Sequence, residues 1–300
     1  MSPRLTSALL WALAVVLMLS AAVYQRLTGP TNPMRGSLVV DGAPQRYRLL
    51  RSEETVRDAR IAVPAPGADA TGRLIWRRYP TSEEFTTVEM ALETTPEGRR
   101  ELAAYLPAQP SSGKLEYRLE VDAPEGLVRI PSGEQEHGEA TIVLRYKDPV
   151  PILTLLSHIA FMFFGVLIGM RAALGALFAP RGMHAHAWIT LALMTVGGMI
   201  LGPVVQKHAF GAYWTGFPWG YDLTDNKTLI MWVVWIGACA VLGWKRRPEG
   251  PSWRGRLAVL VAAVVMTAVY LIPHSLRGSE LDYSAVDSGT PASEAVGTGS

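Results

Sequence analysis

The stretch VPILTLLSHIAFMFFGVLIGMRAALGALF, residues 150–178, decides the fold. It holds one Arg, one His and no acid. A helix needs roughly 20 apolar residues to cross about 30 Å of hydrocarbon, so this run reads as a membrane-spanning helix. Four more runs of this kind lie around it: Ala8–Tyr24, Ala187–Val205, Thr228–Trp244 and Leu257–Pro273. The first makes residues 1–24 a transmembrane anchor or a signal peptide, since Ser20-Ala21-Ala22 resembles a small-residue cleavage site.

Composition agrees with this pattern. Of 300 residues, 49% are hydrophobic and 18% charged, against about 25% charged in soluble domains. The charges crowd into residues 36–148 and thin out across 150–273. That split excludes a soluble globule, a disordered chain and a collagen-like fibre. The single cysteine, Cys239, excludes a disulfide scaffold, a Cys-based zinc site and covalent haem attachment through CxxCH. A net charge of +2 gives no polyanion-binding signal.

Lys and Arg collect in short cytoplasmic loops. Lys245, Arg246, Arg247, Arg254 and Arg256 lie between the fourth and fifth spans, and Arg171 and Arg181 border the loop after the second. The expected topology is a bacterial inner-membrane protein with a cytoplasmic N-terminus. Residues 36–148, the loop 206–227 and the C-terminal tail then face the periplasm.

Residues 36–148 alternate apolar and polar side chains in short runs, as in Leu74–Trp76, Thr87–Met90, Leu115–Val121 and Thr141–Leu144. Pro and Gly clusters separate these runs, which predicts an all-β sandwich of immunoglobulin or fibronectin type. With no Cys and no compact cluster of acids and histidines, this domain is expected to bind or space. The fold expected overall is therefore a mixed membrane protein, a five-helix transmembrane bundle with an inserted periplasmic β-sandwich. Its helical domain is 150–277. Residues 278–300, rich in Ser, Gly, Thr, Ala and acids, read as a disordered tail.

The most unusual segment is the loop 206–227, with six aromatics between Phe210 and Tyr221. Trp and Tyr belts at membrane interfaces account for some of them. Asp222 and Asp225 read equally as turn and helix-cap residues, because a helix follows. His208 and His274 flank the segment at the ends of spans, and His158 lies inside the second span. Neutral imidazole is an axial ligand for haem iron, and intramembrane ionisable residues point to function. Helix–helix hydrogen bonding for His158 and interfacial placement for the other two are the competing readings. Lys207, Lys227 and Arg277 lie near enough in sequence to meet haem propionates.

The order Trp214, Trp219, Tyr221, Asp222, followed directly by a helix and flanked by His208 and His274, resembles the tryptophan-rich "WWD" loop of the cytochrome c assembly membrane proteins. The resemblance covers about residues 208–283, and here Tyr221 stands for a Trp and Leu-Thr-Asp for Pro-Lys-Glu. It implies haem b bound or presented at the periplasmic face, in cytochrome c biogenesis or membrane electron transfer. His208 and His274 would be ligands to the iron, with His158 as substitute. Trp214, Trp219 and Tyr221 would form the platform and Asp222 would order the loop. The partner would be a cytochrome or apocytochrome, and the protein would present the cofactor rather than act as an enzyme. The alternative is a cofactor-free scaffold or accessory subunit in the membrane lipid, whose β domain binds a protein partner.

Overall fold

A computed structural model describes residues 2–135, 138–246, 248–273 and 280–297. The chain forms two compact units, one of residues 1–30 and 150–278, the other of 31–149 and 279–297.

The first unit is helical. It contains α1 (Pro3–Thr28), followed after the β strands by α2 (Ile152–Phe178) and α3 (Met183–Met194). A π-helical stretch, Thr195–Leu201, joins α3 to α4 (Gly202–Phe210), and α5 (Leu223–Leu242) and α6 (Trp253–Leu271) complete the set. Among the described residues, five helical stretches are long and apolar enough to cross a membrane, the third being Pro180–Phe210 taken as one. Ser2, Asp222 and Ser252 start α1, α5 and α6 by accepting backbone N–H bonds with their side chains.

The helical core joins Val166 and Ala172 of α2, Trp235 of α5 and Met266 of α6, all fully buried. Leu10, Ala14, Met18 and Ala21 of α1 share one helical face and pack into the same core. Gly169 lets α2 approach this centre closely: a Cβ there would stand 2.7 Å from Met266 Cε and 3.0 Å from Trp235 Cζ2. The outside is apolar too, with Leu153, Val16 and Val264 exposed. A bundle apolar inside and out is matched to lipid.

Two sequence expectations change here. Arg171, read as bordering the loop after the second span, is buried at 4% exposure inside α2, which ends at Phe178 where the apolar run ends. Two helix ends also extend past their apolar runs into the expected loop. α4 carries Gln206, Lys207 and His208, and α5 begins at Leu223, so the loop proper is 211–222.

The second unit opens with the hairpin β1 (Met34–Val40) and β2 (Ala43–Leu49), followed by β3 (Ser52–Glu54), β4 (Ala59–Pro64) and β5 (Gly72–Arg78). Then come β6 (Thr86–Glu89), β7 (Ala91–Thr94), β8 (Arg100–Leu106), β9 (Lys114–Ala123) and β10 (Gly126–Ile130). Two-residue strands β11 (Glu134–Gln135) and β12 (Gly138–Glu139) precede β13 (Ile142–Lys147). One sheet has the order β3-β13-β9-β5-β6, with β10 also on β9, and a second has the order β4-β8-β7. The β3–β13 pair is parallel and the other pairs are antiparallel. Alternate residues point into a shared core: Ala59, Ile61 and Val63 from β4, Ile142, Leu144 and Tyr146 from β13. Tyr117 Oη, buried with them, donates to Leu50 O at 2.7 Å.

The tail departs from the disordered segment that its composition predicts. Residues 280–297 form β14 (Glu280–Leu281), α7 (Tyr283–Asp287) and β15 (Val296–Gly297) within the β unit. Leu281, Tyr283 and Ala295 are buried together. Tyr283 Oη accepts the Lys114 N–H at 3.0 Å and lies 3.1 Å from Gln109 Oε1. Arg78 makes a two-pronged pair with Asp287, at 2.9 and 2.7 Å. A few specific anchors hold the segment, and an average over its composition does not register them.

Candidate functional site: the aromatic loop between α4 and α5

Gly211 ends α4 in the left-handed region at φ 84°, donating its N–H to Lys207 O at 3.0 Å. The Lys207 ammonium folds back to Gly211 O at 2.5 Å and lies 5.6 Å from the Tyr213 ring centroid. At the other end Asp222 caps α5, its Oδ1 accepting from Thr224 N at 2.8 Å and Asp225 N at 3.1 Å. The Asp222 N–H reaches back to Thr215 O at 3.1 Å.

Between these ends the first turn of α5 holds the loop. Asp225 Oδ2 accepts the Thr215 N–H at 2.6 Å, and Asn226 Oδ1 accepts the Phe217 N–H at 2.7 Å. Gln206 Nε2 donates to Thr215 Oγ1 at 2.7 Å, which ties the loop to α4 as well. Gly216 O collects N–H bonds from Trp219 and Gly220, at 3.0 and 2.9 Å. Trp214 Nε1 donates to Phe217 O at 3.1 Å. Gly216 is required by space: a Cβ there would lie 2.6 Å from Asp225 Cβ and 2.9 Å from Asn226 Oδ1. Asp222, Asp225 and Thr215 are buried, and hydrogen bonds to an ionised acceptor offset part of the cost of burying it.

This bracing sets the aromatic side chains. Tyr213, Phe217, Trp219 and Tyr221 are 60%, 64%, 76% and 78% exposed. Trp214 is half-buried against the loop backbone, so it braces the platform while Tyr213 and Phe217 extend it. The carboxylates of Asp222 and Asp225 order the loop, their oxygens meeting backbone N–H groups.

Of the candidate histidines, His158 and His208 are not brought together. His208 is exposed in the last turn of α4. His158 is half-buried, and its Nδ1 lies 2.9 Å from Gly197 O. A carbonyl only accepts, so Nδ1 carries the proton. Gly197 is eleven residues before His208 on the same span, about 16 Å at helical rise, so the two imidazoles sit at different depths. His158 therefore makes the helix–helix bond that was its simpler reading. His274 and Arg277 lie outside the described residues. Lys227, expected near a propionate, is buried at 2% exposure and donates its ammonium to Ile272 O at the end of α6, where a cation complements the helix dipole. No group of three or more His, Cys, Asp or Glu side chains gathers among the described residues as a metal site would.

Sequence reasoning missed Gln206, Thr215 and Gly216, and did not foresee the bond that Asn226 makes to the loop. The only signal for them is the Thr-Gly of the loop recurring near the Thr-Asp-Asn of the helix start, which becomes meaningful once the chain doubles back. No match to the chain was found among protein-family models, curated proteins or solved structures.

Proposed function

We propose that the protein is an accessory subunit of a membrane assembly, and that its aromatic loop is a preformed docking platform for a partner protein at the membrane surface. The observation that carries this is the bracing of the loop. Bonds to Asp222, Asp225 and Asn226 fix its backbone and Gln206 holds the Thr215 hydroxyl, while four rings stay open. Rigid Tyr and Trp side chains lose little entropy on association, and they dominate binding hot spots. The two-sheet unit supplies a second binding surface. A parallel β3–β13 edge and the orders β3-β13-β9-β5-β6 and β4-β8-β7 support reading it as an immunoglobulin-like sandwich. In this reading the β unit and the loop face the periplasm, and the basic loops face the cytoplasm.

A photo-crosslinker in place of Trp219 in the membrane-embedded chain tests this. A discrete protein adduct, lost with Gly216→Val, supports it; adducts to lipid alone overturn it in favour of an interfacial aromatic belt. The second reading, haem presentation, is favoured by one observation: the exposed imidazole of His208 stands at the helix end leading into the platform. A Soret band from haem-replete cells, lost in His208→Ala with the fold intact, would establish it. A flat spectrum would remove it.

A further inference from the structure

Every ion pair found among the described residues lies in the β unit. The helical unit has far more cations than acids. The connection between α5 and α6 carries Lys245, Arg246 and Arg247, and the first turn of α6 adds Arg254 and Arg256, against Glu249 alone. A shallow pocket opens at this end, with a cavity volume of about 10 Å³, lined by Arg181, His184, Leu242, Arg246, Pro251 and Ser252.

The pocket is built rather than incidental. An Arg246 guanidinium nitrogen donates to Arg181 O, which joins the α2–α3 and α5–α6 connections. His184 Nε2 donates to Gly243 O at 2.9 Å, so that ring is fixed as well. Ser252 accepts the Gly255 N–H at 3.2 Å as the cap of α6, placing the positive end of a 19-residue helix at the pocket wall. Arg256 closes the same end by donating to Ala176 O at 2.6 Å and Leu177 O at 3.2 Å. A buried cation adds to the field. Arg171, whose Nη1 lies beside Gly175 and Met183, has Nε and Nη1 without hydrogen-bond partners among the described residues.

Level matters as much as charge. Trp244 and Trp253, 78% and 69% exposed, directly follow Gly243 and Ser252, and exposed Trp marks the headgroup layer. Two arginines, a histidine and a helix N-terminus in that layer suit a phosphate oxyanion.

We propose that the open mouth of this pocket, whose interior has room for only about one water, binds the phosphate of an anionic phospholipid headgroup, held by Arg181 and Arg246 beside Ser252 and His184. The test is native mass spectrometry of the full chain in detergent with equal phosphatidylglycerol and phosphatidylcholine. Wild type should retain phosphatidylglycerol roughly tenfold better, the scale of one strong charged contact. Arg181→Gln and Arg246→Gln should each abolish the preference, so either carries the test if the other fails to fold. Arg254→Gln removes the same charge from a neighbouring arginine outside the lining, and should keep the preference. Equal loss in all three variants would show diffuse attraction and overturn the site, as would equal retention of the two lipids by wild type. In phosphatidylcholine nanodiscs, millimolar inorganic phosphate that stabilises wild type but not Arg246→Gln would support phosphate recognition and assign it a soluble source.

Discussion

Asp225, in the first turn of α5, accepts the backbone N–H of Thr215 at 2.6 Å from ten residues further along the chain. One carboxylate thus fixes the middle of the aromatic loop, while Asp222 fixes its exit. Asp225→Ala should leave the N–H of buried Thr215 unpaired, at a cost of about 1–3 kcal/mol. The cost should appear locally, as protease cleavage within residues 211–222 of the detergent-solubilised protein while helical circular dichroism is unchanged. An uncut loop in the variant would mean that the other bonds hold it alone.

Gly216→Val should be more severe than Asp225→Ala. The added Cβ meets Asp225 Cβ and Asn226 Oδ1, and neither is the free end of a flexible chain, so the loop must move away from α5. Tryptophan emission should then shift as Trp214 loses its seat, and any crosslink from position 219 should disappear.

At the centre of the helical unit, Gly169→Leu should lower the thermal midpoint in detergent by an amount matching about 1–3 kcal/mol or more of overpacking. Gly169→Ala should cost less, because the nearest atom, Met266 Cε, ends a flexible side chain. Equal midpoints for the Leu variant and wild type would show that α2 does not pack as closely as described.

Docking of the tail on the β unit should be bounded by pH on both sides. The hydrogen bond from Arg78 holds the Asp287 carboxyl below its ordinary 3.8. That contribution is complete above 3.8 and is lost as pH falls through the lowered folded value. Burial raises the Tyr283 phenol from 10.0 to about 12, so its contribution is complete below 10 and is lost as pH rises towards 12. Protection of residues 280–297 from hydrogen exchange, corrected for intrinsic rate, should decline at both extremes. Arg78→Gln should remove the acid limb, and Tyr283→Phe the alkaline limb.

The sequence made some of this legible. The five spans declared themselves because lipid demands long apolar runs, whatever the tertiary contacts. In the β unit, Leu115–Val121 and Leu74–Trp76 were readable from alternation. Strands such as Ala91–Thr94 were not, because their residues are mostly exposed and carry no pattern. Asp222 was readable as a cap. The jobs of Asp225 and Asn226 were not, since their partners lie across a loop whose path no local rule specifies. Lys227 was misjudged for a related reason: nearness in sequence to an aromatic segment does not say which way a side chain turns, and this one turns to the end of α6.

The π-helical stretch Thr195–Leu201 has a consequence for how such a chain can vary. Relative to an α-helix, a π turn is one residue overfull, and one residue corresponds to roughly 100° of rotation about the axis. Everything beyond Gly202 is therefore rephased, including the Gln206 that reaches Thr215. Deleting a single residue between 195 and 201 would keep the span apolar and long enough to cross the bilayer. It would also swing Gln206 and His208 by about a quarter turn, uncoupling α4 from the loop. Length in this segment acts as an angular setting, so insertions and deletions here should matter more than substitutions of one apolar residue for another.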